Sequence, residues 1–135
     1  MKIFKLLHES FIKRYMIESV NNEIIKYVRG NLLDIGCGDK PFFLSIKDMI
    51  EKYIGLDHPG TLHSKKNIDI FAIADDLPFK NNAFDSVLLT QVIEHLENPL
   101  TVLSEIYRVL KSDGTVIISW PFVYPIHEAP RDFYR

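Results

Sequence analysis

A pair of closely spaced glycines after a buried-type acid is the feature of this chain best suited to binding a ligand. Residues 32–38 read LLDIGCG, an apolar run that is interrupted at Asp34 and ends in Gly36 and Gly38. This pattern predicts a buried strand that enters a tight nucleotide-binding turn. Glycine is needed there because the backbone takes a positive φ, or approaches a ligand where a Cβ would intrude. Pro41 then fits the first position of a helix.

Acidic side chains follow two further apolar segments. Asp57 ends the run YIGLD at 53–57, and Asp75 and Asp76 follow the apolar run at 68–73. A carboxylate at the end of a strand can accept hydrogen bonds from both hydroxyls of a ribose. Aspartate is about as common in turns and helix caps, so the position of Asp57 favours neither role. For Asp75 and Asp76, the interpretation as a solvated acidic loop is favoured over contact with the edge of an adenine.

Cys37, between the two glycines, is the one cysteine of the chain. A single cysteine cannot form an internal disulfide, which fits a reducing compartment. A small polarizable side chain that fills the turn is favoured here over a reactive thiol.

The apolar pattern also predicts the elements that position these residues. Helical spacing from Phe4 to Val28, stopping at Gly30, indicates one or two amphipathic helices. After the first strand, short β-branched or aromatic runs predict four further strands at 53–56, 68–73, 86–89 and 115–120. A further helix is expected from Asn98-Pro99, with Gly114 close after its end and an apolar face of Leu103, Ile106, Tyr107 and Leu110.

Continuous apolar strands separated by helices indicate an α/β fold with a mostly parallel sheet buried on both faces. Ligands of such sheets bind beyond the carboxyl ends of the strands, where the glycines and acids above are expected.

Composition narrows the class of protein. The 135 residues are 47% hydrophobic, enough for one domain with a core. A net charge of -2 without a long basic run gives no electrostatic reason to expect nucleic acid or a membrane surface as partner. No segment is long enough to span a bilayer, and His8 and Glu9 interrupt the N-terminal apolar stretch too early for a signal peptide. The expectation is a soluble, cytoplasmic protein, and no metal site is predicted.

Five blocks of sequence, in order, resemble the class I S-adenosylmethionine-dependent methyltransferases, in particular the small methyltransferases related to those of ubiquinone and menaquinone synthesis. The blocks are LLDIGCG at 32–38, YIGLD at 53–57, DDLPF at 75–79, AFDSVLLTQVIEHLENP at 83–99 and EIYRVLKSDGTVIISWPF at 105–122. The resemblance implies a Rossmann-like fold, S-adenosylmethionine as cofactor and a small-molecule methyl acceptor. A dinucleotide-binding oxidoreductase would instead need glycine at position 41, where the chain has Pro41.

The resemblance also implies roles for single residues. Asp34 and the turn Gly36-Cys37-Gly38 match the motif that holds the methionine portion of the cofactor, and Asp57 matches the acid on the ribose hydroxyls. Gln91 matches the position beside the sulfonium and its methyl group.

The adenine side departs from the family pattern. Relatives usually have an aspartate at position 73 that accepts a hydrogen bond from the adenine amino group, and Ile73 cannot do this. Asp75 or Asp76, in the loop that continues to Leu77, is expected to take over. Lys40 stands where many relatives have a third small residue.

Three further polar residues have two interpretations each. Glu94 and His95 are interpreted as a pair at a helix start, where the acid stabilises the helix dipole, in preference to a chemical role. His127 is the candidate general base if the acceptor is a hydroxyl, although binding of a backbone carbonyl or substrate oxygen is favoured slightly.

The resemblance further predicts a domain that is short at its C-terminal end, because the family adds a helix and two strands after the strand that ends at Trp120. The expected organisation is a single domain with N-terminal helices at 1–30, a cofactor-binding core at 31–122 and the start of a truncated substrate-side segment at 123–135. The fifth strand then lies at an uncovered edge, which a homodimer would cover. The alternative function is a truncated or degenerate methyltransferase-like protein that serves as a binding or interaction module.

Overall fold

The computed structural model describes the backbone of residues 2–121 and 133, and the side chains of residues 14–121 and 133. Three α-helices and five strands follow one another along this part of the chain, with short 3-10 turns at Lys65–Asn67 and Ile93–His95. The elements are α1 (Lys2–Tyr27), β1 (Gly30–Ile35), α2 (Phe43–Ile46), β2 (Ile50–Asp57), β3 (Ile70–Phe71), β4 (Phe84–Thr90), α3 (Pro99–Val109) and β5 (Leu110–Ser119).

The five strands form one parallel sheet in the order β3-β2-β1-β4-β5. The chain moves outward from β1 to β3 and then returns to the other side of β1, so the strand order reverses between β1 and β4. Ile35 at the end of β1 is in register with Leu56 on β2 and with Leu89 on β4. The carboxyl ends of these strands therefore meet at one edge of the sheet, on either side of a topological switch point. This confirms the predicted Rossmann-like architecture.

Side chains from both faces of the sheet are buried, as expected for parallel strands. Successive residues of β1 and β4 point to opposite faces. One face packs against α3, and its buried residues include Leu33, Ile35, Val87, Leu89, Val102, Ile106 and Val109. The other face packs against α1 and α2, and its buried residues are Ile24, Val28, Leu32, Phe42, Ile46 and Leu88.

Three details of the predicted elements were wrong. Tyr107 is 85% exposed and not part of the apolar face of α3, because it follows Ile106 by one residue and is therefore rotated about 100° around the helix. Gly114 does not end the helix: α3 stops at Val109, and Gly114 lies within β5. The third strand is also shorter than expected, with only two residues paired to β2.

The described part of the chain supports two further statements. The N-terminal region is one continuous helix of 26 residues, and no helix among the described residues combines the length and apolar character needed to cross a membrane. Among the described strands, β5 pairs with β4 alone and lies at one end of the strand order. The homodimer that is expected to cover this edge stays a prediction.

Candidate functional site

The glycine turn follows β1 and is fixed by hydrogen bonds to β2. The N–H groups of Gly36 and Cys37 both donate to the carbonyl of Leu56, at 2.8 and 3.1 Å. Gly36 and Gly38 have φ values of +71° and +47°, in the left-handed region that favours glycine. A Cβ on Gly36 would also overlap with Cγ2 of Val92. Conformation and space thus both favour glycine at this position.

The contact between Gly36 and Val92 joins the ends of β1 and β4, which flank the switch point. Gln91, just before Val92, has φ +56°, an uncommon conformation for a residue with a side chain. Its N–H donates to the carbonyl of Ser119 at 2.8 Å, and its amide Nε2 donates to Ser119 Oγ at 3.3 Å. Backbone strain of this kind concentrates at functional sites. The predicted position of Gln91 beside the ligand crevice is therefore compatible with the structure.

Asp57 is 7% exposed and binds the glycine turn directly. Its Oδ2 accepts a hydrogen bond from Gly38 N–H at 3.0 Å, and its Oδ1 accepts one from His58 N–H at 2.7 Å. The turn-stabilising role considered for this acid is thus present. Each carboxylate oxygen has a second lone pair, so the arrangement is compatible with ribose binding as well, which stays a prediction.

Asp34 lies in the interior of the sheet, 1% exposed, two residues before Gly36. The hydroxyl of Tyr53 donates a hydrogen bond to its Oδ2, while its Oδ1 has no hydrogen-bond partner among the described residues. Burial raises the pKa of this carboxyl to about 7, although the Tyr53 hydrogen bond opposes the shift. A buried acceptor without a partner is uncommon in native structures and marks a place where a donor can bind.

Cys37 is buried in the turn, and the structure confirms its interpretation as a filler. Burial raises the pKa of its thiol to about 12, with a smaller contribution from the negative charges of Asp34 and Asp57. A thiol that is protonated and inaccessible does not act as a nucleophile.

Lys40 was noted in the sequence without a role, and the structure gives it an ion pair. Its Nζ lies 2.6 Å from Oδ2 of Asp69, which also accepts a hydrogen bond from Gly55 N–H at 2.7 Å. The partner is 29 residues away, so its only sequence signals are the unusual lysine and an acid in the apolar run at 68–73.

The loop between β3 and β4 places its acids at the surface and Leu77 in the core. Asp75 and Asp76 are exposed, whereas Leu77 is buried. The Leu77 N–H donates to Oε2 of Glu105 at 2.8 Å, and the Leu77 carbonyl accepts from Arg108 Nη2 at 3.0 Å. Both backbone groups of Leu77 are therefore bound to α3, and the predicted cofactor contacts of this loop remain predictions.

Glu105 and Arg108 hold this loop, and sequence analysis gave neither of them a role. Arg108 donates from Nε and Nη2 to the two oxygens of Glu105, at 2.7 and 2.6 Å, and from Nη1 to the carbonyl of Phe79 at 2.7 Å. The Arg108 hydrogen bond lowers the pKa of Glu105 to about 2, against a smaller effect of burial. The sequence signal for this pair is its spacing of three residues, which makes the two side chains neighbours on a helix.

The interpretation of Glu94 and His95 as a pair at a helix start was wrong. They lie in the 3-10 turn Ile93–His95, whereas α3 begins at Pro99. Glu94 is fully buried, and its carboxylate lies 3.9 Å from Nε2 of His95. The backbone carbonyl of Glu94 accepts a hydrogen bond from the N–H of Phe133 at 2.6 Å.

Two further predictions concern bases and metals. His127 lies outside the described residues, so its role as a base stays a prediction. Among the residues that the structure describes, no group of three histidine, cysteine or acidic side chains is arranged to hold a metal ion.

Known proteins are similar in sequence to much of this chain. The family model described as "Methyltransferase domain" matches residues 33–118. An uncharacterized protein of Methanocaldococcus jannaschii is 37% identical over 107 residues, which cover 76% of this chain and 48% of that protein. A demethylmenaquinone methyltransferase of Lactococcus lactis is 32% identical over 101 residues, covering 64% of this chain and 40% of the relative. The chain thus spans half or less of the length of these relatives.

Among solved structures, a protein from Pyrococcus horikoshii has a similar fold, with a TM-score of 0.66 and 29% sequence identity. The match covers 81% of this chain and 54% of that protein.

Proposed function

The chain belongs to the methyltransferase-domain family, the class I S-adenosylmethionine-dependent methyltransferases, and from this membership we propose that it transfers a methyl group from S-adenosylmethionine to a small molecule. One observation carries the proposal. The Gly36–Gly38 turn and Asp57 are hydrogen-bonded to each other at the carboxyl ends of β1 and β2, beside the switch point of the sheet. This is the place where parallel α/β sheets bind nucleotide-like ligands.

The residues at this edge fit the separate parts of S-adenosylmethionine. Oδ1 of Asp34 is a buried acceptor without a partner among the described residues, which suits the amino group of the methionine portion. Gly36 and Gly38 leave backbone without Cβ atoms, where a ligand can approach closely. The remaining lone pairs of the Asp57 carboxylate suit the two ribose hydroxyls.

The residues expected beside the adenine differ from the usual family pattern. Ile73 is about half exposed and offers an apolar surface where relatives have an acid. We propose that Ile73 packs against the adenine ring and that the exposed carboxylates of Asp75 or Asp76 accept the hydrogen bond from its amino group. Arg108 and Glu105 would act by holding the loop that carries these acids.

Methyl transfer requires precise placement more than it requires reactive side chains. When bound, S-adenosylmethionine would supply a methyl group on a positively charged sulfur, so that a lone pair of the acceptor can attack the methyl carbon in line while the sulfur leaves as a neutral thioether. If the acceptor is a hydroxyl, its proton would pass to a base, for which His127 is the candidate. The strained backbone of Gln91, bound to Ser119, would fix the floor of the crevice where the acceptor is oriented.

The acceptor is proposed to be a small molecule because the chain has a net charge of -2 and no long basic run of the kind that binds nucleic acid. The relative from Lactococcus lactis is named for a small-molecule substrate, demethylmenaquinone, which supports the same substrate class.

Calorimetric titration with S-adenosylmethionine and its demethylated product tests the proposal. We expect wild-type protein to bind both in the micromolar range, and Asp57→Asn to bind at least about tenfold more weakly. Asp85→Asn is the matched control, because Asp85 also accepts a backbone N–H but lies at the opposite end of the sheet. Circular dichroism confirms that each sample is folded. A folded wild-type protein that binds neither compound would contradict the proposal.

A further inference from the structure

The ion pair between Lys40 and Asp69 connects the glycine turn to the neighbouring strand, and we propose that it latches the turn in the conformation that binds the cofactor. We call the pair the Lys40–Asp69 latch. The inference rests on the proposed function, since it assigns a positioning role toward S-adenosylmethionine. Neither residue was predicted to contact the cofactor.

The latch ends on the backbone of β2. Lys40 Nζ donates to Oδ2 of Asp69 at 2.6 Å, and the lysine side chain is only 17% exposed. The same Asp69 oxygen accepts the N–H of Gly55 at 2.7 Å. A movement of Lys40 is therefore resisted by a strand that is paired on both sides, and not only by another surface side chain.

The Lys40 side chain reaches Asp69 by passing over Gly55 of β2, where no side chain is in the way. A Cβ added to Gly55 would lie 2.5 Å from Cε of Lys40 and 2.8 Å from Sγ of Cys37. The absent side chain of Gly55 thus creates the space that both turn residues occupy. The φ of Gly55 is not positive, so the backbone conformation does not require glycine there. The path of the Lys40 side chain explains the glycine.

Tyr53 links the latch to the buried acid of the site. The centroid of its ring lies 5.0 Å from Lys40 Nζ, within the range of a cation–π contact. The hydroxyl of the same residue donates to Asp34. One lysine therefore contacts the tyrosine that orients Asp34 and the aspartate that binds β2.

The backbone of Lys40 indicates that its side chain is what this position uses. Its φ of +54° is left-handed, so glycine would adopt the same turn with less strain. The N–H of Lys40 donates to the carbonyl of Cys37 at 2.8 Å and closes the turn. At Asp69 burial opposes ionisation, but the hydrogen bonds from Lys40 and Gly55 outweigh it and hold the pKa of the carboxyl below its usual value.

A direct contact of the Lys40 ammonium with the cofactor carboxylate is the competing role, and two variants separate it from the latch. If Lys40 acts through Asp69, then Lys40→Met and Asp69→Asn weaken binding equally, and the double variant is no weaker than either one. If Lys40 binds the cofactor directly, Asp69→Asn frees the ammonium and leaves the affinity unchanged or higher.

The experiment measures the dissociation constant for S-adenosylmethionine by calorimetry and the hydrogen exchange of the amides at 36–40 in the ligand-free proteins. We expect all three latch variants to bind about tenfold more weakly, equivalent to about 1.4 kcal/mol, and to exchange these amides faster.

A second lysine–aspartate pair provides the control. Lys111 Nζ lies 2.8 Å from Oδ1 of Asp85, whose Oδ2 accepts the N–H of Asn31 at 2.9 Å, so this pair copies the latch at the amino ends of the strands. Lys111→Met and Asp85→Asn should leave both the dissociation constant and the exchange at 36–40 unchanged. An equal loss of affinity in the control variants would show that the latch variants weaken binding only because they lower the stability of the domain. That result would overturn the proposal.

The remaining outcomes are also decisive. Wild-type affinity in Asp69→Asn combined with weak binding in Lys40→Met overturns the latch in favour of direct contact. Wild-type protein that binds no S-adenosylmethionine contradicts the proposed function instead. In that case the exchange at 36–40 still tests the latch: faster exchange in both latch variants supports its structural part, and unchanged exchange overturns it.

Discussion

The hydroxyl of Tyr53 on β2 donates a hydrogen bond to Oδ2 of Asp34 on β1, in the interior of the sheet. This bond is the main compensation for a carboxyl group that burial places in apolar surroundings, where the pKa rises to about 7. Burial disfavours the charged form of an acid, whereas a donated hydrogen bond favours it. The balance at Asp34 makes the stability of the domain depend on pH.

The first prediction is that the free energy of unfolding falls between about pH 4 and about pH 7 because of Asp34. Unfolded aspartate has a pKa of about 3.9, so in this window the folded state binds more protons than the unfolded state, and stability decreases as the pH rises. Asp34→Asn carries no charge, so it should remove this decrease, which amounts to about 4 kcal/mol for a shift of about three pKa units.

Urea unfolding at several pH values measures this effect. Asp48→Asn, at an exposed position, serves as control and should retain the wild-type pH dependence. A decrease of the same size in Asp34→Asn would show that Asp34 is not its origin.

The second prediction concerns Gly36, whose conformation and surroundings both disfavour a side chain. Gly36→Ala should lower the free energy of unfolding by about 2–4 kcal/mol, the sum of left-handed strain and overpacking against Val92. Val92→Ala removes the clashing methyl group. In the double variant the loss should therefore shrink to the strain of about 1–2 kcal/mol beyond that of Val92→Ala alone.

A double-mutant cycle by urea unfolding checks this. If the two single effects add without interaction, the contact across the switch point does not limit the size of residue 36.

The sequence was sufficient for the parts of the fold and site that depend on local pattern. The continuous apolar runs predicted parallel strands, and glycines at a strand end predicted the turn, because these features depend on φ and burial of neighbouring residues. Pairs such as Lys40 with Asp69 depend instead on the register of β1, β2 and β3, which no local pattern specifies. Similarly, the burial of Glu94 depends on how the segment after β4 folds over the core. Tyr107 was assigned to the wrong face of the helix, because a step of one residue is enough to move a side chain from the buried face to the exposed face.

The third prediction concerns the ion pair of Glu105 and Arg108, which holds the loop between β3 and β4. Glu105→Gln loses the charge-assisted bonds and should lower the free energy of unfolding at pH 7 by about 1–3 kcal/mol. The hydrogen bond from Arg108 lowers the pKa of Glu105 to about 2. Its contribution is thus complete above the unfolded value of about 4.3 and is lost as the pH falls toward about 2.

Urea unfolding from pH 7 to pH 2 should therefore show a shallower acid decrease in Glu105→Gln than in wild type. Glu18→Gln is a suitable control, because Glu18 pairs with Arg14 on an exposed face of α1, where solvent screening leaves an ion pair little effect on stability. An acid decrease of unchanged slope in Glu105→Gln would remove Glu105 as its source.

The fourth prediction is that the thiol of Cys37 is inert in the folded protein. At pH 8 the pKa of about 12 leaves about a thousandfold less thiolate than an unperturbed cysteine has, and burial blocks access to what remains. A disulfide reagent that releases a coloured thiolate should therefore react at once in urea but in buffer only as fast as the protein opens. The double variant Cys37→Ser/Ser112→Cys, which moves the thiol to an exposed position of β5, should react at once under both conditions. Immediate reaction of native wild-type protein would show that the turn opens readily, and it would contradict the close packing of Cys37 and Lys40 against Gly55.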